Sequence, residues 1–226
     1  MANAVILSII VPVRNEAANI EALMLHLHQL GTEAVEIIVV DAGSEDGSAA
    51  IAAQYAMVLQ AARGRARQMN AGAARARGEL LLFLHADTRL PDNAVALIRQ
   101  ACAGGYRWGR FAVRLSGSHW LFRIIERMMN WRSCLTRVAT GDQAIFVEAA
   151  LFHQVGGYPD IALMEDIALS KSLRRQAKMK CLDAAVVTSS RRWQQHGIVR
   201  TVLKMWWLRA LYVLGVSPEQ LARMYD

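Results

Sequence analysis

Proline, cysteine and lysine are scarce: four, three and four residues in a chain of 226. With so few prolines, and no repeat or serine-rich stretch, there is no linker at which to divide the chain. A single domain over 1–226 is expected, built of a first half (1–103), a second half (104–196) and C-terminal helices (197–226). The cysteines, Cys102, Cys134 and Cys181, are odd in number and far apart. No metal or redox spacing joins them, so a disulfide scaffold is excluded and reduced, cytosolic thiols are expected. The opening MANAVILSIIVPVRNE has no basic leader, and its apolar run is too short for a signal peptide or anchor. G-x-G-x-x-G after a strand is absent, as is a P-loop, so neither of those nucleotide loops is available.

What is present is apolar residues, at 54%, and arginine, which makes up most of the 26 basic residues and leaves a net charge of +7. The first supports one sizeable core. Arginine suits bidentate recognition of phosphate or carboxylate. The charge therefore points to a phosphorylated ligand, a nucleic acid or an anionic membrane surface, without choosing among them.

Apolar runs alternate with helical patterns through the first half. Val5–Val13, Val35–Val40, Met57–Ala61 and the segment GELLLFLHAD read as strands. Ala17–Leu30 has apolar residues at helical spacing, Asp46–Tyr55 is a short helix with Ser44 as N-cap, and Arg65–Arg77 is alanine-rich and helical. Pro91 opens the next helix. This rhythm predicts an α/β domain with a largely parallel sheet, whose ligands bind at the carboxyl ends of the strands.

Those ends carry Arg14-Asn15-Glu16, Asp41-Ala42-Gly43-Ser44 and His85-Ala86-Asp87. Acids and an arginine thus gather at one edge, although each acid alone could serve only to start a turn or cap a helix. In the second half, Arg107–Leu115 and Met179–Thr188 read as strands, and His119–Trp131 and Glu165–Gln176 as helices. TGDQAIFV is a turn leading into a strand, and VGGYPD a loop.

SIIVPVRNE, EIIVVDAGSEDGS, NAGAARARGELLLFLHADT, GDQAIF, MEDIALSKSL and RRW, in that order over almost the whole chain, resemble a family 2 glycosyltransferase. FLHADT, TGDQAIF and LRALYVLGVSPEQLA resemble a small bacterial subfamily associated with arsenosugar biosynthesis. The resemblance implies a GT-A (Rossmann-like) three-layer α/β sandwich with a mainly parallel central sheet and a helical C-terminal tail. It also implies inverting transfer of a sugar from a UDP- or GDP-linked donor to an acceptor hydroxyl.

On that resemblance Pro12, Val13, Arg14, Glu16 and Asp41 would grip the nucleoside. The family's metal-binding Asp-x-Asp becomes His85-Ala86-Asp87, with Asp87 as the ligand to Mg²⁺ or Mn²⁺ and His85 hydrogen-bonding the nucleotide or orienting Asp87. A late histidine, His196, is a second metal candidate. Arg65 or Arg67 would meet the diphosphate, and Asn70 the donor. Asp166 is the expected base, with Glu165 as helper, although two acids also simply suit a helix N-terminus. Gly141, Asp142 and Gln143 would line the acceptor side. Arg192 would neutralise the leaving group, and Trp193 would form an apolar wall.

The acceptor is expected to be a small molecule or lipid-linked. Ile198–Val216 is long enough to cross a bilayer, but Arg200, Lys204 and Arg209 argue against it. A core or dimer helix is expected, or one lying on a membrane surface, placing the protein in the cytoplasm or peripherally at the inner membrane. Strand-end acids would repel nucleic acid, so none is expected. A catalytically impaired nucleotide-sugar-binding module and a sugar nucleotidyltransferase are the alternatives.

Overall fold

The structure, a computed structural model, describes residues 6–30 and 34–225. The first half runs β1 (Leu7–Val13), α1 (Ala17–Gln29), β2 (Val35–Asp41), α2 (Ser48–Ala52), β3 (Met57–Gln60), α3 (Arg65–Arg75), β4 (Leu80–Phe83), β5 (Thr88–Arg89) and α4 (Ala94–Ala103). The second half runs β6 (Trp108–Leu115), α5 (Trp120–Thr136), a 3₁₀ turn (Gly141–Gln143), β7 (Ile145–Glu148), α6 (Ala149–Gln154), α7 (Glu165–Gln176) and β8 (Met179–Thr188). Three helices follow: α8 (Arg191–His196), α9 (Ile198–Val213) and α10 (Pro218–Tyr225).

The strands form one sheet in the order β3-β2-β1-β4-β7-β6-β8-β5. The pairs β1–β2, β1–β4, β2–β3 and β6–β8 are parallel, whereas β7 runs antiparallel to both β4 and β6, and β5 to β8. Alternate residues of β1 enter opposite cores. Leu7, Ile9 and Val11 pack with α1 and α4, and Ile10 packs with α3, α6 and α7. That two-faced burial is why the strands read as unbroken apolar runs. Gly72 lets α3 approach closely, because a Cβ there would lie 2.5 Å from Ile10 Cγ2.

Several expectations are corrected. Ser44 does not cap α2, which begins at Ser48 after Gly47. Its hydroxyl instead donates to Asp41 and accepts from the Asn15 amide at 2.9 Å. Pro91 lies in a turn three residues before α4. Helix α5 continues to Thr136, past the expected end at Trp131. Cys134 and Cys181 are not free thiols but a disulfide, with Cα atoms 6.1 Å apart. Linear separation hid this pair; packing of the end of α5 beside the start of β8 creates it. Only Cys102 is free among the cysteines, and burial pushes its thiol pKa up. No described helix is long and apolar enough to cross a membrane.

Candidate active site

The carboxyl ends of β1 and β4 open onto a cavity of about 690 Å³. Pro12, Val13, Arg14 and Glu16 line it from one side, and His85, Ala86 and Asp87 from another. Arg65 and Arg67, in the first turn of α3, close a third side, and α10 contributes Glu219, Ala222 and Tyr225. Two buried hydrogen bonds fix α3 to the strand ends: Gln68 Nε2 donates to the Val13 carbonyl at 2.9 Å and the Val40 carbonyl at 2.8 Å. The loops after β1 and β2 are laced together. Glu16 N donates to Ser48 Oγ at 2.8 Å, and Glu45 N donates to Asn15 Oδ1 at 2.9 Å.

Not every expected donor residue reaches this cleft. Asp41 is buried, and its carboxylate accepts from the Gly43 and Ser44 amides at 3.0 and 3.1 Å. Asn70 binds the peptide of Tyr158, donating to its carbonyl at 2.8 Å and accepting from its amide at 2.9 Å. It thereby holds the VGGYPD loop against α3. Arg67 does line the cleft, but its guanidinium is paired there with Asp160 at 2.8 Å.

A second cavity, of about 290 Å³, adjoins the first. Arg65, Leu163, Glu165 and Tyr225 line both. Its polar lining includes Asp142, Asp166, Arg132 and Arg209, and its apolar wall includes Trp193, Met205 and Trp206. Glu165 is buried, and Arg65 Nη1 lies 3.6 Å from its Oε1. Burial, reinforced by the neighbouring Asp166 charge, raises the Glu165 pKa. Burial likewise raises Asp166, with Asp142 adding to the rise, against the Gly141 amide, which donates to Asp166 Oδ2 at 2.9 Å. The Ile167 amide donates to the other oxygen at 2.7 Å. Gln143 is fully buried and holds the turn, its Nε2 donating to Ser133 Oγ at 3.0 Å.

Met164, with φ of 70°, precedes the two acids, and Asn15 and Ala144, with φ of 54° and 47°, flank the cleft and the GDQ turn. Such backbone is uncommon outside glycine and clusters at functional sites. His85 lies against Gly141, where a Cβ would come 2.5 Å from Nε2. That nitrogen is buried without a hydrogen-bond partner among the described residues. Burial, aided by the Arg65 charge, pushes the His85 pKa down to about 4, so the ring is neutral near pH 7. The side chains of Arg192 and His196 lie outside the described residues.

Asp87 is the one carboxylate in the H-A-D turn. Its backbone carbonyl accepts from Ser189 N at 3.2 Å, and its Oδ1 accepts from Thr88 Oγ1 at 3.3 Å. No group of three or more His, Cys, Asp or Glu side chains among the described residues is placed to hold a metal unaided. A single carboxylate beside a diphosphate-sized cavity does fit Mg²⁺ or Mn²⁺, which keep waters and share phosphate oxygens. Sequence reasoning missed the contribution of α10 to the cleft and of Arg132 and Arg209 to the second cavity. Nothing in their local sequence sets them apart; only packing brings them in.

A mainly parallel sheet between helices, with an arginine- and acid-lined cleft at the strand ends, is the GT-A class of glycosyltransferase fold. The chain belongs to glycosyl transferase family 2, whose family model matches residues 8–151. It is 30% identical over 113 residues to the undecaprenyl-phosphate 4-deoxy-4-formamido-L-arabinose transferase of Pseudomonas aeruginosa (strain LESB58). That match covers 45% of this chain and 33% of the relative, so the chain spans about a third of the length of the curated relatives it matches.

Among solved structures, S. aureus TarS 1-349 in complex with UDP superposes with a TM-score of 0.69 at 17% identity, covering 81% of this chain and 60% of that one. The mannosyltransferase PcManGT from Pyrobaculum calidifontis, in complex with GDP-Man and Mn²⁺, gives 0.66 at 18% identity, covering 80% and 56%. Glucosyl-3-phosphoglycerate synthase from Mycobacterium tuberculosis, with Mg²⁺ and UDP, gives 0.61 at 16% identity, covering 80% and 69%. At these identities the likeness is one of fold.

Proposed function

We propose that this protein is an inverting glycosyltransferase that moves a sugar from a nucleotide-diphosphate sugar to an acceptor oxygen. One observation carries the reading: in a family 2 chain, the larger cleft meets the apolar cavity at Arg65 and Glu165, with Asp166 on the apolar side. The donor occupies the cleft and the acceptor the apolar cavity, so their reacting atoms meet at that junction.

Pro12, Val13, Arg14 and Glu16 hold the nucleoside end, and Arg65 faces the diphosphate. Neutral His85 adds no positive charge and offers its ring nitrogens as hydrogen-bonding groups. Asp87 would hold Mg²⁺ or Mn²⁺ together with the diphosphate, and that ion, when bound, supplies positive charge to the leaving group. The similarly folded PcManGT, in complex with GDP-Man and Mn²⁺, and glucosyl-3-phosphoglycerate synthase, in complex with Mg²⁺ and UDP, support this reading.

The acceptor oxygen bonds to the anomeric carbon on the face opposite the diphosphate. The bond from that carbon to the diphosphate oxygen breaks, and its electron pair leaves with the diphosphate. The acceptor proton passes to Asp166, whose raised pKa makes it a better base than an ordinary aspartate. Glu165 keeps Arg65 at the junction.

The test is calorimetric titration of UDP, GDP, ADP, CMP and dTDP, with and without Mn²⁺, into wild type and Asp87→Ala. One diphosphate should bind in a metal-dependent manner, and Asp87→Ala should lose the metal effect. If no nucleotide binds under any condition, the proposal fails.

A further inference from the structure

The second cavity contains a charge arrangement that the transfer reaction alone does not explain. Arg132, on α5, has both its Nε and Nη2 groups buried without a hydrogen-bond partner among the described residues. These two N–H groups form one edge of the guanidinium, the edge that grips a phosphate or carboxylate with two parallel hydrogen bonds. Among the described residues its remaining nitrogen, Nη1, makes only a long contact to the Val138 carbonyl at 3.4 Å. Arg209, on α9, lines the same cavity, and its Nε is likewise buried and unpartnered.

Burial, together with the Arg209 charge, pushes the Arg132 pKa down to about 10, while Asp166 and Asp142 act in the opposite sense. Two guanidinium groups thus share a largely apolar cavity, and the acids beside them leave the Arg132 edge unmatched. An unpaired buried donor of this kind costs free energy that a bound anion recovers.

The walls leading outward are apolar. Along α5, Trp120, Ile124, Met128, Trp131 and Leu135 recur at spacings of three and four, and each is exposed. Along α9, Val199, Leu203 and Trp206 do the same. Met128, Trp131 and Trp206 belong both to these stripes and to the cavity lining. The stripes are therefore continuous with a cavity that carries a free guanidinium edge. An occupant that satisfies both features has an anionic head and a long apolar chain.

We infer that the acceptor is a phosphate monoester of a long-chain alcohol, held by Arg132 and Arg209 as its monoanion, so that its remaining P–O–H supplies the proton that Asp166 takes, with its chain lying between α5 and α9. This rests on the assignment of the second cavity to the acceptor.

The test uses the full chain and follows the fluorescence of the cavity tryptophans. The probes are dodecyl phosphate below its micellar concentration, dodecanol, and inorganic phosphate. Dodecyl phosphate should bind at least about tenfold more tightly than either of the others, a difference of ~1.4 kcal/mol. Arg132→Gln and Arg209→Gln should each weaken it by about tenfold or more, because each removes charge-assisted hydrogen bonds to a buried anion. Arg132→Lys, which keeps the charge but not the fork, should also weaken it while unfolding at the wild-type temperature.

Binding of dodecyl phosphate no tighter than that of dodecanol, or unchanged in all three variants, overturns the inference. So does inorganic phosphate binding as tightly as the ester, since the chain would then contribute nothing. Dodecyl phosphate in phosphatidylcholine vesicles, measured by co-sedimentation, separates the sources. Capture that depends on Arg132 supports a membrane-borne ester, and binding of the free ester alone supports a soluble one. Nucleotide titration of the same variants keeps the two claims apart. If nucleotide binds and the ester does not, this inference fails; if the ester binds and no nucleotide does, the transferase reading fails.

Discussion

Gly141→Ala tests the packing that holds the site together. The added Cβ would sit 2.5 Å from His85 Nε2 and 2.6 Å from Cε1. Non-bonded heavy atoms normally rest about 3.5–4.0 Å apart, so the imidazole must move by roughly 1 Å. The ring is packed on the cleft wall, and its Nε2 is buried, which leaves the donor cleft as the open direction. Overpacking of this kind costs about 1–3 kcal/mol. For a chain of this size each kcal/mol lowers the melting temperature by roughly 2–4 °C.

The decisive measurement is a double-mutant cycle read by urea denaturation. Gly141→Ala alone should lower the midpoint with the denaturant slope unchanged. Adding His85→Ala removes the clash, so the double variant should recover stability, with a coupling of about 1 kcal/mol or more. Gly141→Ala should also weaken nucleotide binding, because the displaced ring enters the cleft. If Gly141→Ala unfolds at the wild-type midpoint, or if the two losses simply add, the contact described for His85 and Gly141 is wrong.

Asp166→Asn should abolish turnover yet leave nucleotide affinity within about twofold, since Asp166 does not line the donor cleft; an unchanged rate would remove it as the base. Because a raised pKa means that the basic form is present only at higher pH, the wild-type rate should fall as pH drops through a value above the ordinary 3.8 of aspartate. A pH–rate profile with no acid limb above that value would contradict the assignment. The disulfide closes a separation of 47 residues; on the chain-entropy account Cys134→Ser with Cys181→Ser should cost about 4 kcal/mol against the oxidised protein. Thiol titration of the unreduced, denatured chain should find one reactive cysteine, and three would refute the pairing. Asn70→Ala should cost about 1–3 kcal/mol, because the buried peptide of Tyr158 loses both partners, and the effect is read by the urea midpoint.

Local pattern was enough for the α/β order and for the carboxyl-end rule. Strands buried on both faces must be apolar throughout, helices packed on one side must be periodic, and polar residues at strand ends therefore stand out. That logic pointed to Arg14-Asn15-Glu16 and His85-Ala86-Asp87, and Arg14, Glu16, His85, Ala86 and Asp87 line one cleft; Glu165 and Asp166, at a helix start, came from the family resemblance instead. It could not say that Asp41 and Asn70 are occupied by backbone groups, because a polar side chain that binds backbone and one that faces a ligand have the same local sequence.

Long-range packing decided the rest. Cys134 and Cys181 pair because the end of α5 lies beside β8. Arg132 and Arg209 meet in one cavity because α5 and α9 converge there. Helix α10 closes the cleft with Leu221 fully buried against Leu208 and Ile167, a contact between segments far apart in the chain. Sequence determined which elements form and which of their faces are apolar, since both follow from neighbours a few residues away. Which charges were left without partners was decided only when distant elements came together, because the pairing of a buried group depends on everything packed around it.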